Sequence, residues 1–429
     1  FGTANDDTLA VLLVADNSET FINTGCVYRT VDESIFVPAV VRKMDDVPLC
    51  QLMIYVVWCA LPIAKNGKRR QKYEIDLGRG VLADPSLSFE PPLIERFNNH
   101  LISLQVTPRK ASKKPRQMVL CMSRIFGFEK WQLLITALEV YRLLQVDLVV
   151  AHVNSVLAPI FELMKAYEKD GILAIRSGIS FHGQLVLAHD CFYEFRESAE
   201  FIALLDWDDL LITNSFARLG DAFQAALLQF PEAAYFRVNK LESTFMEQDH
   251  NSEQFSLGRL IHNGILTKYV YNSEKMVVRP SKLHGFWVHH SRYRVGNTRP
   301  VQLTTNYSVL LHLARKTLEI MKVESNFKHF VRRAALRKII PSLPNRTVYF
   351  DAISQCSRYI NAYPDLADMG SPCLSYEMCT FPQVETECVI EESRFRSVTV
   401  EPYKIYSIHL RTHSGFRKSK HGCFANSEY

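Results

Sequence analysis

Between Met118 and Leu205 short apolar runs alternate with segments of helical spacing, and few architectures accommodate that order. Met118 to Met122 is the first apolar run. Glu129 to Gln145 then places Trp131, Leu134, Ile135, Leu138 and Tyr141 on one face of a helix. Val146 to Val153 reads as a strand. Ser155 to Asp170 reads as a second helix, with Ser155 as its cap and Gly171 just past its end. Ile172 to Ile175 is strand, Gln184 to Ala199 helix, and Phe201 to Leu205 strand again. This alternation predicts an α/β domain: a mostly parallel sheet with helices on both faces.

The last of these strands ends in Asp206-Trp-Asp208-Asp209. Side chains two apart on a strand point the same way, so Asp206 and Asp208 can aim at one point. Paired carboxylates at the mouth of a parallel sheet suit a hard divalent cation whose shell is completed by phosphate oxygens. The plainer reading is an acidic, solvated turn. Beyond it the pattern predicts a helix over Ser215 to Gln229 and a strand over Ala234 to Val238. An acid-rich loop over Leu241 to Gly258, a short strand over Met276 to Arg279 and an apolar run over Phe286 to His290 follow. Asn306 to Val323 reads as a helix carrying His312, and Lys328 to Lys338 as a basic helix.

The flanks differ. Residues 1 to about 106 hold β-rich runs at Leu9 to Val14, Ser34 to Val41, Gln51 to Trp58 and Leu101 to Val106. Val47 to Ala64 approaches membrane-span length, but Pro48, Pro62 and its β-branched, aromatic core favour buried strands. Thr107 to Gln117 is basic and punctuated by proline, the clearest boundary in the chain. At 429 residues two or three domains are expected. A net charge of +5 without aromatics among the basic runs argues against a nucleic-acid partner. The ten cysteines form no CxxC pair, which disfavours structural zinc. Cys356, Cys373, Cys379, Cys388 and Cys423 point to a stapled C-terminal region, and with the acceptor patterns Asn306-Tyr-Ser308 and Asn345-Arg-Thr347 they suggest a secretory lumen. The chain opens at Phe1, consistent with a fragment or processed form whose targeting segment lies upstream.

An ordered set of motifs carries a resemblance. Cys121-Met-Ser123-Arg124 is followed by Glu129-Lys-Trp131, then Tyr167-Glu-Lys-Asp-Gly171. Gln184 to Cys191 with Glu194-Phe-Arg196 precedes Asp206-Trp-Asp208-Asp209, and His289 and His312-Leu-Ala-Arg315 close the set. From Cys121 to Arg315 the chain resembles glycosyltransferase family 92, metal-dependent inverting sugar transferases of the GT-A fold. It departs at Arg124, where that family usually has proline, at Asp209, where it has glutamate, and at Leu313-Ala314, in place of a tyrosine context. Three regions are expected: β-rich residues 1–116, a domain over 117–323 that the resemblance makes GT-A-like, and an extension over 324–429 with disulfides.

The implied chemistry is transfer of a sugar, galactose by resemblance, from a UDP-sugar to a glycan or glycoprotein hydroxyl. Mn²⁺ or Mg²⁺ on Asp208 and Asp206 would offset charge on the leaving diphosphate. His289 would complete the shell, with His290 and His312 as alternatives, and Asp206 would also meet the nucleotide ribose. Ser123, Arg124 and Arg315 are the candidate nucleotide contacts. The base is left open among Glu242, Glu247 and Asp249. The family implies a Golgi protein held by a membrane anchor upstream of residue 1. Two other readings stand beside this one. A haloacid-dehalogenase-like phosphatase would use Asp206 as its nucleophile, and a glycan-binding relative would have lost turnover.

Overall fold

The computed structural model describes residues 2–4, 8–16, 24–29, 34–44, 52–60, 74–79, 109–178, 183–213, 215–244, 265–287, 289–314, 334–344, 347–362, 380–400 and 405–424. The chain divides into two compact units. One comprises Phe1–Lys113, Ala367–Leu374 and Ser393–His413; the other comprises Lys114–Leu366, Ser375–Glu392 and Ser414–Tyr429.

The first unit holds β1 (Gly2–Ala4), β2 (Thr8–Asp16), β3 (Thr24–Arg29), β4 (Ser34–Lys43), β5 (Leu52–Ala60), β6 (Glu74–Arg79) and β7 (Arg109–Lys110). They form one sheet in the order β6-β3-β4-β5-β2-β1-β7. The apolar run around Val56 is therefore a strand, as its composition favoured. It lies between β2 and β4 with Tyr55, Val56, Val57 and Cys59 buried, and a strand covered on both faces needs no polar alternation. Cys26 and Cys59 tie β3 to β5. Among the described residues no helix is long and apolar enough to cross a membrane. The run Leu101 to Val106 lies outside the described residues.

The second unit opens with β8 (Arg116–Met122), α1 (Trp131–Leu143), β9 (Leu148–Val153), β10 (Ser155–Leu157), α2 (Ala158–Lys169), β11 (Leu173–Ser177), α3 (Gly183–Phe195) and β12 (Ala199–Leu205). It continues through β13 (Asp209–Ile212), α4 (Leu219–Gln229), β14 (Ala233–Thr244), β15 (Ile265–Val278), β16 (Arg299–Gln302) and β17 (Val309–Ala314). The strands form a mixed, mostly parallel sheet in the order β11-β9-β8-β12-β15-β14-β17-β13, with β16 also on β14. β8, β9, β11 and β12 run parallel. β15 is antiparallel to both β12 and β14, and β13 is antiparallel to β17.

The helices cover this sheet through the positions their spacing marked. Trp131, Leu134, Ile135, Leu138 and Tyr141 of α1 are all fully buried. Cys121 of β8 and Cys191 of α3 form a disulfide that fixes α3 to the sheet.

Three expectations are corrected. Ser155 does not cap α2. It belongs to β10, and its hydroxyl accepts from the Gly127 amide at 2.8 Å. The helix begins at Ala158 because Pro159, with its preset φ, suits a first turn. The acid-rich loop starts later than expected, because β14 runs on to Thr244, and β15 is already formed at Ile265. The segment around His312 is strand, not helix. Val309 to Ala314 is wedged between β13 and β14, and a short apolar run carries no periodicity that separates the two states.

The C-terminal segments add α5 (Ala334–Ile339), α6 (Tyr349–Ala362), β18 (Cys388–Val400) and β19 (Ile405–Ser419). β10, β18 and β19 make a small sheet, and the disulfide Cys388–Cys423 staples this region as its cysteines suggested. Buried Glu129 accepts from the amides of Val348, Tyr349 and Phe350 at 2.8 to 3.0 Å, which caps the start of α6. Acceptors at a helix N-terminus satisfy amides that the helix itself leaves orphaned.

Candidate functional site

In chain order the first four strands of the large sheet are β8, β9, β11 and β12, and they lie side by side as third, second, first, fourth. The order reverses between β8 and β12. In open α/β sheets the carboxyl ends at such a reversal leave a crevice that ligands use. Met122 and Leu205 are register partners, so Ser123 and Asp206 leave the sheet as neighbours. The Ser123 amide donates to Leu205 O at 2.7 Å, and the buried Trp207 indole donates to Ser123 O at 2.9 Å. Two of the expected contributors, Ser123 and the Asp206 cluster, are thus brought together. Arg124 follows at the same mouth, its guanidinium 5.1 Å from the centre of the Phe126 ring.

The three carboxylates have different surroundings. Asp209 is fully buried. Its Oδ1 meets His312 Nδ1 at 3.0 Å and its Oδ2 lies 3.3 Å from Lys275 Nζ. Its backbone is held as well, because the Tyr141 hydroxyl donates to Asp209 O and accepts from the Leu211 amide. Desolvation alone would raise this carboxyl, but the His312 hydrogen bond and the charges of Lys275 and Lys240 override it and hold it below its usual range. Asp206 is one-third exposed and pairs with Lys275 Nζ. Asp208 is the most open, at 40% side-chain exposure, and its Oδ2 lies 3.9 Å from His312 Nε2. Desolvation by the surrounding protein and the neighbouring Asp209 and Asp206 charges push it up to about 6, against the pull of His312.

Lys240 and Lys275 are both buried, on the neighbouring strands β14 and β15. Desolvation weakens the Lys275 ammonium, but Asp206 and Asp209 outweigh it and keep the group charged. Desolvation lowers the His312 pKa, but the Asp209 hydrogen bond and the Asp208 charge outweigh it and raise the value. With the ring neutral, as a cation ligand must be, three carboxylates face two ammonium groups and leave one net negative charge. A charge balance of that sign accepts a divalent cation.

Among the described residues, one group of side chains could share a cation: Asp208, Asp209 and His312, with ligand atoms within 4.8 Å of one another. Both oxygens of Asp209 are engaged within the protein, while the His312 and Asp208 side chains keep 21% and 40% exposure. The Asp209–His312 hydrogen bond favours the Nδ1–H tautomer and turns Nε2 toward Asp208, the arrangement that carboxylate–histidine pairs give metal centres. This donor set, one oxygen and one imidazole nitrogen, fits Mn²⁺.

The other expected residues fall elsewhere. His289 is exposed, and its Nδ1 lies 2.7 Å from Glu274 O. It does not belong to the convergent group. His312 takes that place because β17 pairs with β13 in the register Asp209↔His312. Glu242 lies on β14 as the backbone register partner of His312. Glu247, Asp249 and Arg315 lie outside the described residues. Lys275 and Lys240 were not anticipated. A period-two reading marks them, since Lys275 shares a side with buried Val277, and Lys240 with buried Val238.

Comparison with known proteins bears on the family of the chain. Two Caenorhabditis elegans glycosyltransferase family 92 proteins are 22% and 24% identical to this chain. The first alignment covers 78% of this chain and 74% of the relative, the second 77% and 73%. A solved UDP-glucose pyrophosphorylase complexed with UDP-glucose aligns with 48% of this chain and 91% of its own, at 10% identity and a TM-score of 0.21, too low to argue from. The profile of glycosyltransferase family 92 matches residues 116–346, more than half of the chain and the whole of the sheet just described, and this chain belongs to that family.

Proposed function

We propose that this glycosyltransferase works by metal-dependent, inverting transfer from a UDP-sugar to a glycan hydroxyl, on a GT-A-like frame. The observation that carries the reading is the convergence of Asp208 and His312 Nε2 beside the strand-order reversal between β8 and β12. Asp208 and His312 would hold the cation. Bound there, Mn²⁺ supplies positive charge to a departing diphosphate.

The chain's own residues supply the rest. Asp209 holds the His312 ring in one tautomer, and Tyr141 holds Asp209. Ser123 and Arg124 stand at the adjoining strand end, where a nucleotide lying along the crevice meets them. Asp206, the more open of the two carboxylates on Lys275, is the group for a ribose hydroxyl. The base for the acceptor hydroxyl comes from Glu242, Glu247 or Asp249. Glu242 is favoured, because its backbone is registered against His312. Galactose as the donor sugar rests on family resemblance, as does a Golgi location with an upstream anchor.

The phosphatase alternative loses its support from strand order. Its nucleophile ends the first strand of the sheet, whereas Asp206 follows β12, the fourth. The test is release of UDP from a panel of UDP-sugars, with Mn²⁺ or with chelator, by the native chain and by Asp208→Ala and His312→Ala. Release from one sugar that needs the metal and falls about a hundredfold or more in both variants supports the reading. Glycan binding without metal-dependent release supports the non-catalytic relative instead.

A further inference from the structure

We infer that Lys275 divides the three carboxylates of the Asp206–Asp209 turn: it holds Asp206 away from the cation, so that Asp208 and His312 are its protein ligands. The inference rests on the reading of Asp208 and His312 as a cation site and goes beyond it by giving the neighbouring carboxylate and a buried lysine separate roles.

Three observations support it. The Lys275 side chain is only 7% exposed, so its ammonium has little water to turn to and must be matched by protein charge. Its Nζ contacts Asp206 Oδ2 and lies 3.3 Å from Asp209 Oδ2, so one cation of the protein itself spans the first and third carboxylates. Asp206 is also absent from the group of side chains able to share an ion, although it lies only two residues before Asp208. An Asp-x-Asp turn that reads as a two-carboxylate cation clamp is therefore half occupied by lysine.

The consequence for the reaction is a cation held by few protein atoms. Fewer protein ligands leave more positions for water and, in turn, for diphosphate oxygens of the donor. Asp206 stays directed at Lys275, on the side of the crevice where a donor hydroxyl would meet it.

The experiment counts waters on Mn²⁺ bound to the full chain, by electron–nuclear double resonance in ¹⁷O-labelled water, with Mn²⁺ as the only added ligand. Two protein ligands on an octahedral ion leave about four waters. The native chain and Lys275→Arg are expected to show that number, and Asp206→Asn to leave it unchanged. Lys275→Met frees the Asp206 carboxylate to bind and lowers the number by about one. A general loss of packing or a change in field would shift affinity without removing a water. A water gained in Asp206→Asn, or an unchanged number in a folded Lys275→Met, overturns the inference. If Lys275→Met does not fold, the Asp206→Asn result decides alone. A native chain that binds no Mn²⁺ overturns the cation site itself, which a binding titration registers before any water is counted.

Discussion

His312 Nδ1 and Asp209 Oδ1 meet at 3.0 Å across two strands that are paired in that very register. The hydrogen bond therefore comes from the ladder and does not depend on a loop. The imidazole edge that faces Asp208 is set by the same backbone bonds that hold β13 to β17.

Removing Asp209 tests this rigidity. Asp209→Ala removes one of the carboxylates that contact buried Lys275 and removes the acceptor of the His312 Nδ1 hydrogen bond. Breaking a buried ion pair costs about 3–5 kcal/mol, which urea denaturation would measure. Cation affinity should fall about 10–100-fold, as for other partners behind a metal-binding histidine, and Mn²⁺ titration by electron paramagnetic resonance reads it.

A pH test lies away from the site, at Glu139 of α1. Burial raises its pKa, and this outweighs the opposing Tyr167 hydrogen bond at 2.7 Å and the Arg142 charge. Since the folded value is above the unfolded one, the native state binds more protons in that interval, and stability falls as pH rises through it. Glu139→Gln keeps an acceptor for Tyr167 and removes the charge. Its Tm relative to the native chain should therefore be higher at pH 7 than at pH 4, by calorimetry at both.

Glu129 tests how the C-terminal helix is fastened. Glu129→Ala leaves the amides of Val348, Tyr349 and Phe350 without their carboxylate. A loss of about 2 kcal/mol is expected, read by urea denaturation, with faster hydrogen exchange at Tyr349 and Phe350 than in the parallel sheet.

The Cys121–Cys191 bridge closes a loop across a separation of 70 residues. Replacing both cysteines by serine should cost about 4 kcal/mol on the chain-entropy estimate. Because Cys121 lies on β8, one strand from Asp206, the same variant is expected to weaken Mn²⁺ binding less than Asp208→Ala does.

Much of the second unit was determined by the sequence itself. The alternation of apolar runs from Met118 to Leu205 dictates parallel strands with helices between, because each element has one period that buries its apolar side chains. It also puts Asp206 and Asp208 at a strand end, where their carboxylates remain reachable. What the chain order could not decide was which partners those aspartates take. His289 and His312 are both histidines following apolar runs, and nothing local ranks them. Only the pairing of β17 with β13 carries His312 to Asp209 and leaves His289 on Glu274. Likewise Lys275 is far from Asp206 in the chain and becomes its counter-ion only because β15 returns antiparallel beside β12. Local periodicity sets which face of an element is buried. Ion pairs and ligand sets depend on which strands become neighbours, and that is a property of the whole sheet.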